Sequence, residues 1–311
     1  MTTAGGNATW APVAIFAYNR PDKLAALMTS LAACEGFANT PVTIFVDGPK
    51  RESDRLKVEQ VRHVAQNHAG ANVSWSFHEM NSGLRRSVYA GVTEVLTKFD
   101  RVIVLEDDLV LSPIALSYFN TALRTYESEP RVWSIAGYTY DAPALRPTGT
   151  TLTLPFAHSW GWATWARAWS QFDLDNHPSA STLQSSAFRS AFDMGGLYPF
   201  TALMKISIEG RVDSWFIHWY YTIFQHGGVS IFPPRRVVEN YGLSEGTHGG
   251  SLNPHEKLVS RPELLTTMPG FSSSEDVCFP ALDLLKRSRE LRVQRFIARA
   301  GLAKRRLTGG R

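Results

Sequence analysis

Three observations predict an α/β fold in which a mostly parallel sheet is covered by helices. Short apolar runs alternate with helical segments through the first half of the chain, as in a sheet whose crossovers are helices. Polar and acidic residues gather just past the ends of those runs, at Asn19–Arg20, Asp47 and Glu106–Asp108. In an open α/β sheet that edge is where ligands bind. The third observation is a switch in character after residue 150, where tryptophan-rich stretches replace the regular alternation.

The elements follow in order. "PVAIFAYN" (12–19) reads as a strand, and "RPDKLAALMTSLAAC" as a helix opening near Pro21, where the missing N–H costs little. "VTIFVDG" (42–48) is a second strand ending in an Asp-Gly turn, followed by the polar helix "RESDRLKVEQVRHVAQNH". "ANVSWSFHE" is a third strand. In "NSGLRRSVYAGVTEVLTKF", Leu84, Val88, Val92 and Val95 recur at helical spacing. "RVIVLEDD" is the fourth strand. Further on, "HSWGWATWARAW" (158–169) carries four tryptophans in what reads as a loop, and "DSWFIHWYYTIFQHGG" (213–228) reads as an aromatic-rich helix. These rings suit either a core, since aromatic side chains dominate burial, or a wall for a sugar ring or base. Residues 247–275 are rich in Gly, Ser and Pro and read as loop.

Composition bounds the function. The chain has 311 residues, 44% hydrophobic and 19% charged, enough for one large or two modest domains. It has no apolar run long enough to span a bilayer, and "MTTAGGNATWAP" lacks the basic and apolar regions of a signal peptide, so a cytoplasmic enzyme is expected. Asn7-Ala8-Thr9 fits a glycosylation sequon, which without an export signal is read as chance. Cys34 and Cys278 suit neither a disulfide framework nor a zinc site and are expected to pack as apolar residues. No G-x-G-x-x-G follows the first strand and no phosphate loop of the G-x-x-x-x-G-K-[ST] kind occurs. Dinucleotide oxidoreductases and P-loop phosphotransferases thereby lose their main support.

In "RVIVLEDDLVL" (101–111), Glu106, Asp107 and Asp108 are adjacent. Like charges so close raise one another's pKa unless a cation neutralises them. Mg²⁺ or Mn²⁺ does this with only one or two protein carboxylates, its other positions being filled by phosphate and water. Along an extended chain Glu106 and Asp108 point one way and Asp107 the other. One direct ligand, one water-bridged or ribose-binding acid and one structural acid is a reasonable division. The competing reading is a solvated strand end whose aspartates cap a helix.

"PVAIFAYNRPDKL", "VTIFVDGP", "NSGLRRSVYAG", "VIVLEDDLVLSP" and "HSWGWATWARAW" occur in the order found in glycosyltransferases of the GT-A fold. The set most resembles the N-acetylglucosaminyltransferase I type and its bacterial relatives, over roughly residues 11–250. The resemblance implies a mixed, mostly parallel sheet flanked by helices, with an aromatic-rich acceptor-side half. It also implies a nucleoside-diphosphate-sugar donor, UDP-linked, a Mn²⁺ or Mg²⁺ ion under the diphosphate, and inverting transfer to a hydroxyl of a glycan or glycolipid. Residue by residue, it implies Asp108 as metal ligand with Glu106 and Asp107 near sugar and ribose. Ala17, Asn19, Arg20 and Asp47 fall at the nucleotide, and Arg86 faces base or phosphate. A carboxylate accepts a pyrimidine N–H, and arginine pairs with phosphate through a planar fork. The competing reading for Arg85 and Arg86 is a solvated helix start, where positive charge is mildly unfavourable.

The catalytic base implied by "RVDSWF" is Asp213, although the related pattern can carry its acid where this chain has Ser214. A helix cap is the alternative for Asp213, and Glu209, Asp193 and Glu239 are fallback bases. His248 is implied at the metal or diphosphate, and His158, Trp160, Trp162 and Trp215 at the acceptor. The expected organisation is an extension over 1–10, a nucleotide-binding half over 11–111, an acceptor-binding and catalytic half of the same domain over 112–275, and a basic tail over 276–311.

From Leu284 to Arg311 there are ten Lys or Arg and one acid, so the tail carries +9 and the preceding body −5. A basic amphipathic helix here would suit peripheral contact with an anionic membrane on the cytoplasmic face, or stand as a solvated arm. Nucleic acid is not expected, because the acidic body offers no basic groove. Two rivals to the transferase are a sugar-phosphate nucleotidyltransferase, which normally has a glycine-rich basic loop where this chain reads "AYNRPDKL", and a non-catalytic carbohydrate-binding protein, which has no need of the acidic triplet. A metal-dependent phosphatase is weaker still, for want of a histidine cluster.

Overall fold

The computed structural model describes residues 10–242, 263–275 and 277–307. Its centre is an eight-stranded sheet in the order β3-β2-β1-β4-β8-β6-β9-β7. The four predicted strands are present as β1 (Val13–Ala17), β2 (Val42–Val46), β3 (Val73–Phe77) and β4 (Arg101–Glu106), all mutually parallel. Beyond them lie β6 (Val132–Ala136), β7 (Leu152–Leu154), β8 (Trp162–Trp165) and β9 (Val229–Phe232). Only β8 and β7 run against the rest, through antiparallel pairings with β4, β6 and β9. The sheet is therefore mixed and mostly parallel, as expected, and strands from both halves of the chain share it. A separate antiparallel ribbon joins β5 (Leu109–Leu111) to β10 (Val238–Asn240).

Alternation along the strands divides the interior into two cores. On β1, Ala14 and Phe16 enter one core while Val13, Ile15 and Ala17 enter the other, because successive side chains face opposite sides of a sheet. The second core is closed by α1 (Pro21–Ala32), α2 (Arg55–Asn67) and α4 (Ala115–Thr125). On α1 the buried residues are Leu24, Leu27, Met28 and Leu31, the i, i+3, i+4, i+7 stripe of an amphipathic helix, and Pro21 opens it as predicted. The other face is closed by α3 (Leu84–Leu96), α8 (Phe200–Ile208) and α9 (Trp215–Gln225). Val88, Val92 and Val95 are buried there, but Leu84 stands at the first turn of α3 and is 42% exposed.

The stretch 158–169 is not the loop expected of it. Trp162–Trp165 forms β8, wedged between β4 and β6, so Trp162 faces one core and Trp165 the other. Three short helices follow, α5 (Ala166–Trp169) and, after a loop, α6 (Ala180–Gln184) and α7 (Ser186–Phe192). Residues 263–275 carry no helix or strand beyond one bridge between Thr150 and Gly270. Cys34 is buried and Cys278 half-buried, both free. The tail forms α10 (Phe279–Arg287) and α11 (Arg289–Leu307). Among the described residues no helix is long and apolar enough to cross a membrane.

Candidate active site

Because β1, β2 and β4 are parallel, their carboxyl ends meet at one edge, with Ala17 opposite Val46 and Phe16 opposite Glu106. The residues after each strand therefore converge. Arg20, at the start of α1, reaches across and donates one amino group to Asp107 and the other to Asp108 Oδ2 at 2.8 Å. The Tyr18 amide donates to the remaining Asp107 oxygen at 3.3 Å. Asp107 and Asp108 are buried, so this arginine offsets two charges that water cannot screen. Burial opposes the guanidinium's charge, but Asp107 and Asp108 outweigh it and raise the pKa of Arg20.

One guanidinium does not balance three carboxylates. Glu106, at the last position of β4, receives the indole N–H of Trp215 at 3.3 Å, and among the described residues its carboxylate accepts no other hydrogen bond. Enclosure first, and the neighbouring Asp108 second, raise its pKa. Burial likewise raises Asp107 against the pull of Arg20. The site thus retains an affinity for further positive charge.

Asp108 is also held from the β10 side. The Asn240 side-chain amide donates to Asp108 Oδ1 at 3.3 Å, the Tyr241 amide donates to its backbone carbonyl at 2.8 Å, and the Gly242 amide ties back to the Asn240 side chain at 2.8 Å. A Cβ on Gly242 would lie 1.9 Å from Asp108 Oδ2. Only glycine permits so close an approach of the backbone to the carboxylate. Gly242→Ala is expected to displace the carboxylate or the 240–242 backbone and to lower stability by about 1–3 kcal/mol, measured as a reduced midpoint in urea. An unchanged midpoint would mean that this close approach is not maintained in solution.

Asp47 is buried, and backbone N–H groups engage both its oxygens: Gly48 at 3.0 Å, Ser82 at 2.9 and 3.1 Å, and Gly83 at 3.0 Å. Its side chain therefore organises the segment entering α3. Gly83 has a φ of +81°, and a Cβ there would come 2.5 Å from Asp213 Oδ2; both demand glycine. Asp213 is exposed beside this helix start, its described hydrogen bond coming from the Arg85 amide at 3.4 Å. It does not cap its own helix α9, which has Ser214 at that position and no side-chain cap. Arg85 turns away to the Leu174 carbonyl and Asp175, at 3.2 Å from the carboxylate, whereas Arg86 is exposed on the first turn. Asn19 lies at a long 3.5 Å from Asp54, and Ala17 contributes its carbonyl to the Asp47 amide at 3.2 Å.

The aromatic residues separate into two groups. Trp162, fully buried, stacks on Trp215 at 5.0 Å and 22°, so it backs the ring that bonds Glu106 and has no face of its own for a ligand. His158 packs between Tyr138, Tyr140 and Trp160 in a second cluster, with ring centroids 4.6, 5.4 and 5.1 Å away. Of these four, Trp160 alone is half-exposed. The Trp160 amide donates to His158 Nδ1 at 3.2 Å, which requires a neutral acceptor nitrogen. Burial, and then Arg236, push the His158 pKa down to about 3.

This has a pH consequence. Unfolded His158 takes a proton near pH 6.5 and folded His158 does not, so its contribution is intact above that pH and lost as pH falls towards 3. The stability gap between wild type and His158→Gln is expected to narrow by about 1.4 kcal/mol per pH unit below pH 6. Urea unfolding at pH 7, 6 and 5 measures it, and a constant gap would contradict a neutral buried imidazole.

Of the fallback bases, Glu239 is buried in an ion pair with Arg236 at 2.8 Å, Asp193 accepts from the Thr201 amide at 2.7 Å, and Glu209 pairs with Arg211 at 3.3 Å. None of the three bonds into the triplet. His248 lies outside the described residues. Sequence reasoning missed Tyr18, Asn240 and Gly242. Tyr18 lay inside the quoted "YNRP" run, whereas "ENYG" (239–242) carries no signal of its own.

Among the described residues no group of three or more His, Cys, Asp or Glu is arranged to hold a metal ion. The oxygen donors of Asp108 and the uncompensated charge of the triplet nevertheless fit Mg²⁺ or Mn²⁺, which needs one or two protein carboxylates when phosphate supplies the rest.

No protein-family model matches the chain, and no curated protein matches its sequence. Solved structures resemble it in shape, two among them with low overall similarity. One is GalNAc-T7 with UDP, GalNAc and Mn²⁺, at a TM-score of 0.46 and 11% identity over 76% of this chain and 44% of its own. The other is the mannosyltransferase PcManGT from Pyrobaculum calidifontis with GDP-Man and Mn²⁺, at 0.43 and 13% over 97% of this chain and 77% of its own. The chain spans less than half the length of the first. Similarity at this level assigns neither ligand nor reaction to the chain.

Proposed function

We propose that the chain is a metal-dependent glycosyltransferase of the GT-A type. It would move a hexosyl or N-acetylhexosaminyl group from a UDP-linked donor to a hydroxyl of a glycan or glycolipid, with inversion. The observation that carries this reading is the junction of Arg20, Asp107 and Asp108 at the carboxyl edge of a parallel sheet, with Glu106, bonded by the Trp215 indole, next to it in the chain. Such an edge is where an open α/β sheet takes a ligand, and an acidic cluster with a single arginine suits a cation and a diphosphate together.

Asp108 would hold the metal, which when bound supplies a Lewis acid for the departing diphosphate. Arg20 would keep Asp107 ionised and oriented towards the ribose. Arg86, exposed on the first turn of α3, would pair with phosphate through its planar fork. Asp47 would act by fixing Ser82 and Gly83, and so the N-terminus of α3, where backbone N–H groups favour anions. Glu106, oriented by the Trp215 indole, would accept from sugar hydroxyls. Asp213 would take the acceptor proton as the new bond to the anomeric carbon forms; its exposure leaves it open to an incoming hydroxyl. Of His158, Trp160, Trp162 and Trp215, only Trp160 is half-exposed, and it would meet an acceptor ring.

Thermal unfolding against UDP, GDP, CDP and their sugar conjugates, each with and without Mn²⁺, tests the reading. A ligand specific to the folded state stabilises by about 2.7 kcal/mol at a hundredfold excess over its dissociation constant. One nucleotide class should raise the midpoint only with metal present. No response to any nucleotide would overturn the proposal and favour a carbohydrate-binding protein.

A further inference from the structure

We propose that the outward face of α11 is a docking surface for a membrane containing anionic phospholipid. The first turn fixes the rotation of this helix. Glu290, 2% exposed, accepts from Arg236 at 2.5 Å, from the Tyr138 hydroxyl and from the Asp141 amide at 2.7 Å. Leu291 is fully buried, and Arg295 donates to the carbonyls of Gly196 at 2.9 Å and Lys286 at 3.0 Å. At 3.6 residues per turn positions 289, 292, 296 and 299 fall within an arc of roughly 80° that faces away from Glu290 and Leu291. All four are exposed, and they are Arg289, Arg292, Phe296 and Arg299.

Two features select a lipid surface. Charge is the first: the tail from Leu284 carries ten bases and one acid, and that acid is the buried Glu290, while the body is net negative. An anionic surface therefore attracts this face and repels the remainder, which orients the molecule. The second is Phe296, 71% exposed in the middle of three arginines. A polyanion in water engages the arginines and has no place for the ring, whereas a bilayer interface takes guanidinium groups at the headgroups and the ring below them. The helix lies on such a surface without crossing it. Such docking would supply a lipid-linked acceptor if the transferase reading holds.

The test is co-sedimentation of the full chain with phosphatidylcholine vesicles, with and without roughly a third phosphatidylglycerol, alongside binding to soluble heparin. Binding is expected to the phosphatidylglycerol vesicles and to fall with salt. Replacing Arg289, Arg292 and Arg299 together by Glu should weaken it by about a hundredfold or more. Phe296→Ser should weaken vesicle binding by about tenfold while leaving heparin binding unchanged. Ala300→Glu, on the same exposed face, gives a second reading of vesicle affinity should Phe296→Ser lower the unfolding midpoint. Equal binding to both vesicle types, no binding to either, or vesicle affinity indifferent to both Phe296→Ser and Ala300→Glu would overturn the proposal.

Discussion

Asp108→Asn is expected to remove the metal-dependent response to nucleotide and to lower transfer by about 10³-fold or more, while leaving the unliganded protein as stable as wild type or more so. The two halves of this result have one cause. Asp108 is buried beside two other carboxylates, with a single arginine between them. Neutralising it relieves like-charge repulsion in a poorly solvated site, offsetting the weaker bond that an amide oxygen offers Arg20. The metal, by contrast, loses the ligand that would fix it, and electrostatic stabilisation of a leaving group is usually the largest part of such catalysis. Comparing wild type and variant by thermal unfolding with and without Mn²⁺ and the responding nucleotide, and by transfer rate, checks both halves. A metal-dependent shift that survived in the variant would place the cation elsewhere.

The strand-end part of this arrangement was legible in the sequence because it is local. Strand ends and the polar residues just beyond them are written consecutively, as in "AYNRP" and "LEDD", and the parallel order of the first four strands brings them to one edge without further information. What was not legible depends on distant partners. Trp162 carries the same tryptophan signal as Trp160, yet its place in β8 between β4 and β6 buries it completely while Trp160 stays half-exposed. Asp47 stands at a strand end, where the sequence marks it. That its oxygens meet the amides of Ser82 and Gly83, 35 and 36 residues away, is a pairing no composition or period announces. The same holds for Asn240 against Asp108, separated by 132 residues. Tertiary pairing decides such roles, and single-sequence periodicity carries no record of it.

The tail offers the sharpest case of a long-range partner, and Arg236→Leu is expected to destabilise the protein by about 3–5 kcal/mol. Arg236, 2% exposed, pairs with Glu239 at 2.8 Å and with Glu290 at 2.5 Å, and its guanidinium lies 4.3 Å from the centre of the Tyr138 ring. Removing it leaves two buried glutamates facing one another without a counter-charge, the costliest way to break a buried network. Glu290→Gln should cost less, about 1–3 kcal/mol, because the Arg236–Glu239 pair survives and an amide oxygen can still accept from the Tyr138 hydroxyl or the Asp141 amide. Urea unfolding of both variants measures the order, and a greater loss from Glu290→Gln would refute this distribution of charge. Replacing Arg236, Glu239 and Glu290 together by apolar residues of similar size should recover much of the loss, since exchanging a whole buried ion network for packing is often neutral. The triple variant should still change one property. Glu239 also accepts from the Asn240 amide at 3.2 Å, and Asn240 in turn holds Asp108 at 3.3 Å. Recovered stability with weakened metal-dependent nucleotide binding would therefore identify the network as the support of Asp108, whereas full recovery of both would confine it to anchoring the C-terminal helix.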